Sequence, residues 1–118
     1  MTYELPHQGK VEDFLYLSMQ SPDAKLYSDL VCEEFHEWME AGFNDPEAEL
    51  KEMADLVYVL YGYAIARGYD LDKAFSLVHE NNLSRMRQDD GTIKRREDGK
   101  IIKNPSAPKV DLSSCINK

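Results

Sequence analysis

Four carboxylates fall into two short motifs, Glu34-x-x-Glu37 and Glu52-x-x-Asp55, with fourteen residues between them. On a helix, a three-residue spacing puts both acids of a pair on one face, about a turn apart. Carboxylates crowded together either take up protons or hold a hard cation through oxygen. All-oxygen ligation points to Mg²⁺ first and Mn²⁺ second. A di-iron or di-manganese carboxylate bundle would need Glu-x-x-His on two facing helices. Glu33-x-x-His36 supplies one copy, off the stripe of the four acids, and the facing segment has none.

The elements that must position these acids are marked by Pro, Gly and Asp. A first helix is expected from about Val11 to Met19, with Val11, Phe14, Leu15 and Ser18 on one face. Ser21-Pro22-Asp23 reads as the N-cap and first-turn proline of a second helix that ends at Ala41-Gly42. Asp45-Pro46-Glu47 opens a third in the same way, ending at Arg67-Gly68. A fourth follows a cap at Asp70, carries Leu71, Ala74, Phe75 and Val78, and runs toward Arg87. No strand pattern is strong enough to build a sheet, so the expected fold is all-α. The division expected is a helical catalytic domain over residues 1–88 and a basic arm over 89–118, with a short hairpin around Glu97-Asp98-Gly99.

The short link from Gly42 to Asp45 makes helices two and three antiparallel neighbours, so facing residues have numbers with a constant sum. Tyr27/Gly62, Leu30/Val59, Glu34/Asp55, Glu37/Glu52 and Ala41/Ala48 all sum to 89. One register therefore sets four carboxylates at two adjacent levels of an otherwise apolar or small-residue seam. Two like charges about 4 Å apart repel by about 4 kcal/mol at an effective dielectric near 20, a conflict that a divalent cation removes. Glu33, Glu40, Glu47 and Glu49 lie off the stripe and read as solvated acids.

Charge is distributed unevenly along the 118 residues, whose formal net charge is −8. Residues 1–83 hold 17 acids and 5 bases, whereas residues 84–118 hold 5 acids and 9 bases. This disfavours an extended nucleic acid as partner, yet a local group of Arg and Lys can clamp a small phosphate compound. No segment has the charged start and apolar run of a signal peptide or the roughly 18 apolar residues of a membrane span, so a cytoplasmic protein is expected. Cys32 and Cys115 lack metal-ligand spacing and read as reduced, incidental thiols.

Glu33-Glu34-x-x-Glu37 followed by Glu52-x-x-Asp55, flanked by Leu30-Val31 and Leu56-Val57-Tyr58-Val59, resembles the signature of the all-α nucleoside triphosphate pyrophosphohydrolases. That superfamily includes MazG-like enzymes and phosphoribosyl-ATP pyrophosphohydrolase. His79-Glu80-Asn81-Asn82-Leu83-Ser84-Arg85-Met86 is similar to its fourth-helix segment, and Asp90-Gly91 through Pro108 to the tails of phosphoribosyl-ATP-pyrophosphohydrolase-like proteins, phage-encoded ones among them. The resemblance covers residues 11–108. It implies a four-to-five-helix MazG-like bundle completed by homo-oligomerisation, as a homodimer or a dimer of dimers. It implies Glu34, Glu37, Glu52 and Asp55 as metal ligands, and Asn82 and Arg85 as substrate contacts. Arg85 stands where Lys is more usual, which keeps the charge but changes the geometry.

The implied reaction is (d)NTP + H₂O → (d)NMP + pyrophosphate. Glu37 or Glu34 would take a proton from the attacking water, and Arg85 with the tail lysines Lys100 and Lys103 would steady the phosphates. The kinship tilts the substrate toward purines, and phosphoribosyl-ATP itself is the alternative. The competing reading is a non-catalytic dimeric helical module whose acids are merely solvated. His7, His36 and His79 share no stripe with the acids, so packing or surface roles are expected for them.

Overall fold

The structure is a computed structural model and describes residues 6–116. Four α-helices follow one another: α1 (His7–Leu17), α2 (Ala24–Ala41), α3 (Pro46–Arg67) and α4 (Leu71–Arg85), with a 3₁₀ turn at Ser113–Cys115. No strand occurs among the described residues, only two isolated bridges, Tyr69 to Ile116 and Arg95 to Ile101. No helix among them is long and apolar enough to cross a membrane. The contacts divide the chain into two units, residues 6–72 with Ile116, and Lys73–Cys115. That boundary lies ahead of the composition break after residue 88, because α4 and the tail are joined by their own hydrogen bonds.

In the first unit α2 and α3 form the antiparallel hairpin and α1 packs on α3. Val11, Leu15, Tyr27 and Tyr61 form its buried cluster, with Leu30, Val59, Tyr63, Ile65 and Leu71 packed against it. Burying each of the larger side chains contributes about 1.5–3 kcal/mol. The register is visible at Gly62, where a Cβ would land inside the Tyr27 ring. Only glycine lets the ring lie against the α3 backbone there, as the Tyr27/Gly62 pairing requires.

Helix ends follow the capping chemistry, with shifts from the expected bounds at both ends of α1, which closes at Leu17 rather than Met19, at the start of α2 and at the end of α4. Asp45 accepts from Ala48 N at 3.1 Å, Pro46 sits in the first turn, and Gly68 closes α3 in the left-handed conformation at φ 73°. For α2 the cap is Asp23 rather than Ser21, accepting from Leu26 N at 3.1 Å, so Pro22 stays outside the helix. For α1 the start is His7 rather than Val11. Its cap position, Pro6, offers no side-chain oxygen, and Asp72 instead accepts from Gln8 N at 3.1 Å. Gln8 in turn accepts from Leu71 N at 2.8 Å and donates to Tyr69 O at 2.8 Å. The fourth helix stops at Arg85, two residues short of Arg87.

One expected face does not form. The fourth helix carries Leu71, Ala74, Phe75 and Val78, but Phe75 is 71 % exposed and the helix buries no residue. The second unit is instead held by polar contacts. Its turn at Glu97-Asp98-Gly99 carries a short hairpin, with Arg96 N donating to Lys100 O and Ile102 N to Lys94 O, both at 2.8 Å.

Candidate functional site

Along the α2–α3 seam, Glu34, Glu37 and Glu52 each offer a carboxylate oxygen, and these lie within 4.8 Å of one another. Glu34 and Glu37 come from α2, one turn apart, and Glu52 comes from α3. Their grouping follows from the register set by Tyr27 and Gly62. Asp55, one turn after Glu52, is close enough to push up the Glu34 pKa by repulsion.

The electrostatics are those of crowded acids. Glu34 is pushed up to about 7, first by desolvation, then by its hydrogen bond with Glu37 and by the charges of Glu37, Asp55 and Glu52. Glu52 is also pushed up, by desolvation and by its hydrogen bond with Glu37, and Lys51 opposes that shift. Lys51 Nζ lies 2.6 Å from Asp55 Oδ2 and 4.0 Å from Glu52 Oε1. It is the counter-ion that the acid stripe leaves out of view, although a Lys four residues before Asp55 on a helix is a readable ion-pair signal.

Two oxygens of the group, Glu34 Oε2 and Glu52 Oε2, are buried without a hydrogen-bond partner. A buried, unpartnered carboxylate oxygen is costly unless a cation meets it. Orphaned oxygens, mutual repulsion and an all-oxygen donor set fit a hard divalent cation at Glu34, Glu37 and Glu52.

The other expected residues are elsewhere on the chain. In the second unit, Asn82, Lys100 and Lys103 line one cavity of about 310 Å³ with Leu83, Met86 and Ile101. Arg85 is turned to the tail, its Nε and Nη2 each 3.4 Å from Asn104 O. The histidines behave as packing or surface groups. His36 Nδ1 is 2.8 Å from Cys32 O, and the His7 ring lies 6.0 Å from that of Tyr61. With Glu33 and His36 both exposed, the Glu-x-x-His pair stays off the seam. Cys32 and Cys115 are free thiols.

A helical hairpin with acids clustered in its seam defines the class as an all-α bundle. The sequence matches the phosphoribosyl-ATP pyrophosphohydrolase family over residues 11–82, and the chain belongs to that family. It is a nucleotide pyrophosphohydrolase, a hydrolase of the MazG-like superfamily. Among solved structures it is similar to the MazG-like pyrophosphohydrolase of cyanophage S-2L, which was determined bound to dGDP and three catalytic Mn²⁺ ions per active site. The TM-score is 0.55 over 86 % of this chain and 91 % of that one, at 19 % identity, a likeness of fold. No curated protein matches the sequence.

Proposed function

We propose that the chain hydrolyses nucleoside triphosphates, (d)NTP + H₂O → (d)NMP + pyrophosphate, with Mg²⁺ as the working ion and Mn²⁺ as a substitute. The observation that carries this reading is the cluster of Glu34, Glu37 and Glu52, with two oxygens buried and unpartnered beside Asp55. These four would hold the ion. Its chemistry, when bound, is to neutralise phosphate charge and acidify water. Water attacks the α-phosphorus, the bond from that phosphorus to the bridging oxygen breaks, and pyrophosphate leaves. Glu37, the exposed member of the cluster, or Glu34 takes the proton from the attacking water. The cationic side chains Arg85, Lys100 and Lys103 and the Asn82 amide hold the substrate. A purine nucleotide is slightly favoured, and phosphoribosyl-ATP, the substrate in the family's name, is the alternative.

Pyrophosphate release from a panel of nucleotides, phosphoribosyl-ATP included, tests the reading. Glu37→Gln and Asp55→Asn should each lower turnover roughly a thousandfold, the equivalent of several kcal/mol of transition-state stabilisation, without unfolding the protein. Release of orthophosphate alone, or full activity in both variants, would overturn it. The working assembly proposed is a homodimer or a dimer of dimers. Phe35, Met39, Met53, Val57 and Leu60 are between 40 % and 61 % exposed on α2 and α3, an apolar surface that a second copy would cover. A monomer by light scattering at micromolar concentration would refute the assembly.

A further inference from the structure

Of the four acids in the α2–α3 seam, one stands apart. One carboxylate oxygen from each of Glu34, Glu37 and Glu52 lies within 4.8 Å of the others, and Asp55 is not a member of that group. Its Oδ2 is instead 2.6 Å from Lys51 Nζ, one turn earlier on α3, whereas Glu52 Oε1 is 4.0 Å from the same ammonium. The two acids of α3 are thus in different states. Glu52 keeps a buried oxygen without a partner, and Asp55 has a counter-charge of its own.

That counter-charge is easily exchanged. The Lys51 side chain is 68 % exposed, so its ammonium moves into water without disturbing a packed core. An exposed ion pair contributes little to stability, and base before acid at i and i+4 is the less stabilising order along a helix. Support of α3 therefore accounts poorly for the pair. Lysine meets a carboxylate as a point charge on a flexible stem, whereas arginine would fork onto both oxygens and hold them. A hard divalent ion brings twice the charge to the same oxygens and takes them as ligands.

We propose that Lys51 is a placeholder cation on Asp55, one that must leave before that carboxylate can join Glu34, Glu37 and Glu52 around an ion. The proposal rests on the metal-site reading given above and adds to it a residue that sets how tightly the ion is held without being a ligand. Occupation of the fourth acid is then an exchange, in which the ammonium–carboxylate contact breaks as an ion–carboxylate contact forms. Na⁺ and K⁺ bring no more charge than the ammonium they would displace, so the exchange favours divalent ions.

The test is calorimetric titration of the full chain, treated with chelator, with Mn²⁺ alone. Lys51→Gln keeps a helix-forming stem without charge and should tighten Mn²⁺ binding about fivefold, the order of an exposed ion pair. Lys51→Arg should weaken it by a similar factor. In an Asp55→Asn chain the gain from Lys51→Gln should vanish, because no carboxylate is left to compete for. A gain that persists in Asp55→Asn is a general effect of removing one positive charge and overturns the proposal. Unmoved Mn²⁺ affinity in Lys51→Gln with a lowered melting temperature overturns it too, as the result of a pair that only supports the helix. Either result leaves the acid site and its pyrophosphate release standing. The expected exchange pattern without any pyrophosphate release sinks the reaction and leaves the placeholder standing. Mn²⁺ bound by none of these chains removes the site and the placeholder together.

Discussion

The two units of this chain are held together by opposite means. In residues 6–72, apolar side chains meet across helices and the polar groups that matter are unsatisfied acids left in the seam. In Lys73–Cys115 no residue of α4 is buried, and the buried Asn104 amide with its hydrogen-bond partners sets the chain's course. Apolar contact is non-directional and roughly proportional to area, whereas hydrogen bonds prescribe particular partners. One unit thus places charges by register, and the other places them by a knot of polar bonds.

Substitutions separate the two modes. The largest effect on stability is expected at Leu15, 3 % exposed, where Leu15→Ala should cost about 2–5 kcal/mol in denaturant unfolding. Hydrogen exchange at the Ile102 and Asn104 amides reports on the other mode, and their protection should collapse in Asn104→Ala while that of α3 remains.

The charged seam gives the next effect. At a hundred times its Kd, Mg²⁺ or Mn²⁺ should stabilise the fold by about 2.7 kcal/mol, a gain that Glu34→Gln and Glu52→Gln largely abolish. Without metal the pH dependence has a definite sign. Glu34, raised to about 7 in the folded chain, holds its proton more tightly there than when unfolded. Its contribution is therefore complete below the ordinary carboxylate range and is lost as pH rises through about 7. Metal affinity should run the other way, weakening as pH falls through about 7 and protons compete for the same oxygens. A metal-free melting temperature that climbs between pH 5 and 7.5 would contradict this.

Smaller effects probe the packing. Gly62→Ala forces a methyl into the Tyr27 ring and should cost about 1–3 kcal/mol by thermal melting. Asp23→Ala removes one cap bond and should cost about 1 kcal/mol, whereas Ser21→Ala should be neutral, since Ser21 is not the cap.

Legibility follows the same division. Caps, helix-ending glycines and a constant-sum register are local or nearly periodic signals, so the hairpin and its acid levels can be read from residue spacing. The early start of α1 cannot, because its cap is Asp72, sixty-four residues away from Gln8. The bare face of α4 is hidden for a related reason, since periodicity marks apolar residues without saying whether anything in the chain covers them. For Asn82, Lys100 and Lys103, spacing offers only composition, and the course of the tail that brings them together depends on Asn104, whose partners lie 15 and 2 residues away.

The ring of Tyr27 seated in the notch at Gly62 works as an alignment key for the active acids. A slip of one helical turn, about 5.4 Å, would unseat the ring and at the same moment move Glu34 and Glu37 off the level of Glu52 and Asp55. Tolerance in the notch is therefore tolerance in the distance between the acids of the two helices. On the proposed reading, a mutation at Gly62 would first be noticed as a chain that folds yet holds its ion poorly.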